Sequence, residues 1–138
     1  MPRPVSPHSE LVRVEFADTD AGGRIHHTAA LRWAELAEHQ LLRSLGRSEL
    51  IQSELTGSEL TRFPRRRLEV DFLGPLRFGD EVVVEIAASA VGRTSVTYRW
   101  RVLRDGVSCV EGTTTCVHVD DAGRPSPVPA ELRAALVT

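Results

Sequence analysis

Residues 81–117 read EVVVEIAASAVGRTSVTYRWRVLRDGVSCVEGTTTCV. Three apolar runs are cut by two turn signals, GR at 92–93 and RDG at 104–106. The first run, EVVVEIAASAV, is apolar on nearly both sides. The second, TSVTYRWRVL, puts Val96, Tyr98, Trp100 and Val102 on one face, because side chains alternate along a strand. Asp-Gly is a strong hairpin signal. Three consecutive hairpin-linked strands predict an antiparallel sheet. Tyr98 and Trp100 are expected in the core or at an interface.

Upstream, RRRLEVDFL (65–73) sets Leu68, Val70 and Phe72 opposite Glu69 and Asp71, a fourth strand broken by GPLRFGD. Before it the period changes. In residues 28–45, Ala30, Ala34, Ala37, Leu41 and Leu45 recur at near-heptad spacing with Trp33 beside them, which predicts a helix. Thr28 is the expected N-cap and Gly46 the residue after its end. Between helix and strand, residues 47–61 are polar and fit a short helix and a loop. Residues 10–17, ELVRVEFA, alternate as a first strand, and AELRAALV (130–137) reads as a short closing helix. The order is strand, long helix, four strands: an α+β domain over 10–138, after a proline-rich tail at 1–9. One long helix would be wrapped by one antiparallel sheet, and a second subunit is the simplest cover for two-sided strands.

The bulk properties narrow the function. At 138 residues the chain is long enough for one domain with a real core. A net charge of -2 gives no pull toward nucleic acid or an anionic membrane surface. No apolar run is long enough to span a bilayer. MPRPVSPHSE lacks the apolar centre of a signal peptide, so the expected location is the cytoplasm. Cys109 and Cys116 fall in one strand an odd number of residues apart. They face opposite sides and are expected as reduced, buried thiols.

The chemistry concentrates in FADTDAGGRIHH (16–27), which joins the first strand to the helix. A calcium loop fails here: Gly22 stands where an oxygen ligand is needed, and Ala29 where a bidentate glutamate is needed. Zinc through Asp20, His26 and His27 fails because adjacent histidines seldom converge on one ion. No metal is expected. A tight turn explains Asp18, Asp20, Gly22 and Gly23. It does not explain two histidines where the helix begins. A helix N-terminus offers unpaired N–H donors that polarise a carbonyl. A carboxylate in the preceding loop can attack that carbonyl or activate water. Gly22 and Gly23 would let a substrate approach the backbone.

VEFADTDAGGRIHHTAALRWAELAEHQLLRSLG (14–46) resembles the opening of the hotdog-fold acyl-CoA thioesterases of the 4-hydroxybenzoyl-CoA thioesterase type. The likeness continues through FPRRRLEVDFLGPLRFGDEVVVEI, GRTSVTYRWRV and EGTTTCVHVDDAGRPSPVP. It implies a single hotdog domain that forms a homodimer or homotetramer. It implies an acyl-CoA or acyl-carrier-protein substrate, with coenzyme A part of the substrate and no further cofactor. By the same resemblance Asp20 is the catalytic carboxylate, nucleophile or general base, and the His27 N–H polarises the thioester carbonyl. Asp18 fixes the loop, and Glu35 is either a water-orienting acid or a plain charge on the helix face. The resemblance places Leu31 along the acyl group and Phe63 at the pocket edge. It offers one of Arg65, Arg66 and Arg67, Arg65 first, to a coenzyme A phosphate, with a solvated strand edge as the alternative role, and Arg93, Thr94 and Ser95 to the pantetheine or nucleotide arm. Two positions depart from the pattern: Ala30 and His26 replace residues that are commonly aromatic. Ala30 would widen the acyl pocket for a longer or bulkier chain. Two rivals remain, a hydroxyacyl-thioester dehydratase or hydratase, whose local His and carboxylate patterns are not seen here, and a non-catalytic acyl-CoA-binding hotdog protein.

Overall fold

In the computed structural model, residues 7–45 and 63–137 are described. Their order is β1 (His8–Arg13), α1 (His27–Ser44), β2 (Arg65–Phe72), β3 (Glu81–Val91), β4 (Ser95–Arg104), β5 (Val107–Val117) and α2 (Ala130–Val137). The strands form one antiparallel sheet in the order β1-β3-β4-β5-β2. The α+β expectation holds, and β1 starts at His8, two residues earlier than its alternation suggested. Gly46 and residues 47–61 lie outside the described residues.

Helix α1 lies on one face of the sheet, against β1, β3 and β4. Its small residues make that approach possible: Ala29, Ala30, Ala34 and Ala37 are buried beside Trp33, Leu41 and Leu42. The sheet contributes Val82, Val84 and Ile86 from β3 and Val96, Tyr98, Trp100 and Val102 from β4. Gly112 faces Trp100 across the β4–β5 pair, and a Cβ there would overlap the indole. The absent side chain makes room for the ring, whose Nε1 donates to Thr114 Oγ1 at 3.0 Å. The β4–β5 hairpin turns on Asp105 (φ 50°) and Gly106 (φ 77°), as Asp-Gly predicts.

Cys109 and Cys116 are both free and buried. Cys116 faces the helix side, and Cys109 sits where the β4–β5 register shifts, beneath Gly74, whose N–H donates to the Cys109 carbonyl at 3.1 Å. Strand β2 is a sheet edge, and its Leu68 and Phe72 are about half-exposed. Among the described residues, no helix is long and apolar enough to cross a membrane.

Candidate active site

The loop between β1 and α1 is built on two aspartates with different tasks. Asp18 is buried: its Oδ2 accepts the Glu15 N–H at 2.8 Å and its Oδ1 accepts from Arg32 Nη2 at 2.6 Å. Its carbonyl takes the His26 N–H at 2.7 Å, which fixes where the helix begins. Asp18 is the loop's anchor, as expected. The N-cap is His26, not Thr28: His26 Nδ1 accepts the Thr28 N–H at 3.2 Å and lies 2.8 Å from Thr28 Oγ1. A ring nitrogen here does the work usually left to a Ser or Asp oxygen, and helix propensities carry no sign of it. The bridge Thr19–Ile25 pinches the loop closed, and the cap falls two residues earlier than Thr28.

Asp20 is exposed. Its Oδ1 accepts the Gly22 N–H at 2.8 Å and the Arg24 N–H at 3.4 Å. Its Oδ2 accepts no hydrogen bond among the described residues. Gly23 follows at φ 79°, a left-handed conformation that suits glycine. The same turn occurs a second time in the molecule. Asp120 Oδ1 accepts from Ala122 N–H at 2.9 Å and Arg124 N–H at 3.0 Å, Gly123 sits at φ 79°, and Val119–Pro125 closes the pair. Backbone bonds match too: Asp20 and Asp120 each receive the N–H three residues on and donate to the carbonyl four residues on. DAGGR and DDAGR are thus one turn in two settings, and the turn chemistry by itself accounts for Oδ1 in both.

The setting separates them. Asp20 lies at a cleft of about 410 Å³ with Arg24, Ile25, His27, Phe72 and Leu76. His27 is the first residue of α1 and is exposed; its N–H has no acceptor among the described residues. Its ring stacks on His26, centroids 4.3 Å apart. A free carboxylate oxygen and a helix N-terminal donor therefore share one cleft, which is what attack on a polarised carbonyl requires. Gly22 and Gly23 are exposed in the turn after Asp20 and do not line this cleft. A second hollow, of about 560 Å³, touches Asp20 from the side of Phe16 and Phe78.

Other expected residues fall elsewhere. Ala30 is 0% exposed and packed in the core, so it is no open wall of a pocket; an aromatic ring there would displace the sheet. Leu31 is partly buried at the core's edge, along the helix side that carries His27. Glu35 lies eight residues beyond His27, about 12 Å further along the helix. It pairs with Arg65 at 3.6 Å and not with the Asp20 cleft. Arg65 does not reach outward for a phosphate: its Nη1 donates to Glu38 Oε1 at 2.7 Å and to Cys116 Sγ at 2.7 Å. Burial pushes the Glu38 carboxyl above its ordinary range, against the pull of Arg65. Burial also pushes the Cys116 thiol up to about 11, keeping it protonated. Phe63 packs on His118, centroids 4.8 Å apart. Arg93, Thr94 and Ser95 sit at the β3–β4 turn, the far end of strands that run about 33 Å from the Asp20 end. There the Arg93 and Thr94 carbonyls accept from Val128 and His118, and Ser95 pairs with Val117. Within one chain, Phe63, Arg65, Arg93, Thr94 and Ser95 are not brought to Asp20. Among the described residues, no group of three or more His, Cys, Asp or Glu is placed to hold a metal ion.

The chain matches known proteins over most of its length. The family model described as "Thioesterase superfamily" matches residues 22–111. The chain is similar to the acyl-CoA thioesterase YbgC of Haemophilus influenzae, 30% identical over 90% of both chains. It is similar to a 1,4-dihydroxy-2-naphthoyl-CoA hydrolase of Prochlorococcus marinus, 27% identical over 78% of this chain and 75% of that one. Among solved structures it resembles a Thermus thermophilus thioesterase complexed with coenzyme A and Zn, with a TM-score of 0.78, 29% identity, and 93% and 90% of the two chains covered.

Proposed function

The chain belongs to the thioesterase superfamily and has its hotdog fold, and we propose that it hydrolyses acyl-CoA thioesters to the free acid and coenzyme A at the cleft between Asp20 and the first turn of α1. The observation that carries this is the shared cleft: Asp20 and His27 line one hollow, and neither Asp20 Oδ2 nor the His27 N–H has a hydrogen-bond partner among the described residues. The thioester oxygen accepts the His27 N–H, and the helix dipole stabilises the charge that grows on it. As nucleophile, Asp20 Oδ2 bonds to the carbonyl carbon and the C–S bond breaks. The thiolate leaves and takes a proton from solvent, and water then opens the mixed anhydride. As general base, Asp20 takes a proton from water while the water oxygen bonds to the same carbon; the C–S bond then breaks, and the thiolate leaves with the proton that Asp20 took. Both routes give the same products. Coenzyme A is the favoured carrier, because the similar proteins named above act on or bind coenzyme A compounds; an acyl-carrier protein is the second.

The working unit in this scheme is a homo-oligomer. Strand β2 is an edge with half-exposed Leu68 and Phe72, which a second copy would cover. Arg93, Thr94 and Ser95 of a second copy are then the ones available to the coenzyme A arm.

Thiol release from acyl-CoAs spanning acetyl to palmitoyl, with benzoyl and hydroxybenzoyl, tests the proposal. Release from part of the panel is expected. Tight acyl-CoA binding with no release from any ester would replace hydrolysis by the non-catalytic binding function.

A further inference from the structure

The cleft that Asp20 and His27 share is lined by a single arginine and no lysine. That residue is Arg24, and Ile25, Phe72 and Leu76 supply apolar wall around it. The turn accounts for the Arg24 backbone. Its N–H donates to Asp20 Oδ1 at 3.4 Å, and its carbonyl accepts the Asp20 N–H at 2.8 Å. The turn does not account for the side chain. Arg24 is exposed, and its guanidinium makes no hydrogen bond or ion pair among the described residues. Its neighbours are spent otherwise: Arg32 pairs with Asp18, and Arg104, behind Pro75, pairs with Asp80. The twin turn repeats the arginine, because the Arg124 N–H donates to Asp120 Oδ1 at 3.0 Å. Arg124 does not line this cleft. The turn thus accepts an arginine in both settings, and only Arg24 stands beside Asp20 and His27.

Reach decides what Arg24 meets. The bond from the Asp20 N–H to the Arg24 carbonyl closes the turn, so their Cα atoms are roughly 5 Å apart. Six bonds separate an arginine Cα from its terminal nitrogens, about 7 Å when extended at roughly 1.25 Å per bond. With the thioester carbon against Asp20 Oδ2, the guanidinium can lie roughly 4–10 Å from that carbon. The nearest phosphate of coenzyme A is about thirteen bonds from the sulfur, roughly 16 Å along an extended arm. It falls beyond that shell. A group on the far side of an aromatic acyl ring, or at the end of a six-carbon chain, is about 6 Å from the thioester carbon. It falls inside.

We propose that Arg24 sets the substrate class of this site by selecting acyl groups that carry a carboxylate about 6 Å from the thioester carbon. This rests on the thioesterase function proposed above and names the kind of acyl group it acts on. A guanidinium holds a carboxylate through two parallel N–H bonds, a geometry that lysine lacks. The apolar wall suits the ring or methylenes between the thioester and the carboxylate. Asp20 repels a second carboxylate in the same cleft. Without a cation the cleft would therefore turn such substrates away, and Arg24 reverses that preference. The guanidinium is exposed, so its pull is moderate and weakens with salt.

The test compares thiol release within two matched pairs of esters, 4-carboxybenzoyl-CoA with 4-methylbenzoyl-CoA and adipoyl-CoA with hexanoyl-CoA. Calorimetric affinity is measured beside it for S-(4-carboxybenzyl)-CoA and S-(4-methylbenzyl)-CoA, thioethers that cannot be hydrolysed. In the wild type the carboxylate member of each pair should lead by about tenfold in kcat/KM and in affinity. Arg24→Gln should remove that lead and leave the uncharged members within about twofold. Arg24→Lys should keep part of the lead, and Arg124→Gln should change nothing. A wild type with no such lead, or a lead that survives Arg24→Gln, overturns the proposal. Equal losses on both members of a pair also overturn it, because Arg24 then acts on what they share. The matching pantetheine esters, which carry no phosphate, tell the two causes apart: losses that vanish there mean a phosphate contact, and losses that persist mean a damaged turn. A carboxylate lead in binding that Arg24→Gln abolishes, with no thiol release from any ester, overturns hydrolysis and leaves the role of Arg24 standing. Hydrolysis with no lead does the reverse, and failure of every compound to bind or react overturns both.

Discussion

Asp20→Asn and Asp120→Asn are a matched pair, because the molecule contains the same turn twice. In each, Oδ1 accepts two backbone N–H bonds, at 2.8 and 3.4 Å for Asp20 and at 2.9 and 3.0 Å for Asp120. Asparagine keeps an Oδ1 acceptor and loses the charge. Hydrogen bonds to charged groups contribute about 1.5–3 kcal/mol and neutral ones about 0.5–1.5. Both aspartates are exposed, so solvent screening trims the difference, and each substitution should cost about 1 kcal/mol. That corresponds to a fall in Tm of roughly 3–5 °C for a chain of this size. The chemical effect belongs to Asp20 alone. Losing a positioned carboxylate that attacks or activates water should lower kcat by about 10²–10⁴-fold, or roughly 3–5 kcal/mol of barrier. The difference between the twins therefore exceeds the turn effect several times over. The assay is thiol release from the best acyl-CoA of the panel, with thermal melts of both variants. The expected result is equal Tm shifts, a collapsed kcat in Asp20→Asn and near-wild-type kcat in Asp120→Asn. Equal losses of kcat would mean that turn geometry, not the Asp20 carboxylate, governs the rate. Undiminished turnover in folded Asp20→Asn would remove Asp20 from the reaction.

Two further outcomes follow from the packing. Gly112→Ala should destabilise by about 1–3 kcal/mol, because the new methyl displaces the Trp100 ring and breaks its bond to Thr114; an unchanged melt and near-ultraviolet circular dichroism would refute it. Burial first, opposed by Arg65, holds the Glu38 pKa above its ordinary 4.5. The folded chain thus keeps a proton there that the unfolded chain has released, and this contribution to stability is lost as pH rises from about 4.5 through the raised pKa. Urea melts should show the wild type losing stability relative to Glu38→Gln over that range, and a constant difference would refute the assignment.

Sequence by itself determined the elements and the loop. Strand alternation, Asp-Gly turns and helical periodicity are local properties, so β3, β4, β5 and α1 stand within a residue or two of where their patterns end. Asp20 and His27 were singled out by the family resemblance, and the short span between them, one loop and one helix start, is why both line one cleft. Tertiary structure decided the rest. It gave the N-cap to His26, because the cap depends on where the Asp18 carbonyl and the Thr19–Ile25 bridge halt the loop. It turned Ala30 into the core, since the side of the helix facing the sheet is set by packing. It carried Arg93, Thr94 and Ser95 to the far end of the sheet from Asp20. It also took Arg65 from the solvent to Glu38 and Cys116, contacts across 27 and 51 residues. A single register shift in β2 aims that side chain inward, and no pattern in RRR records which arginine it will be.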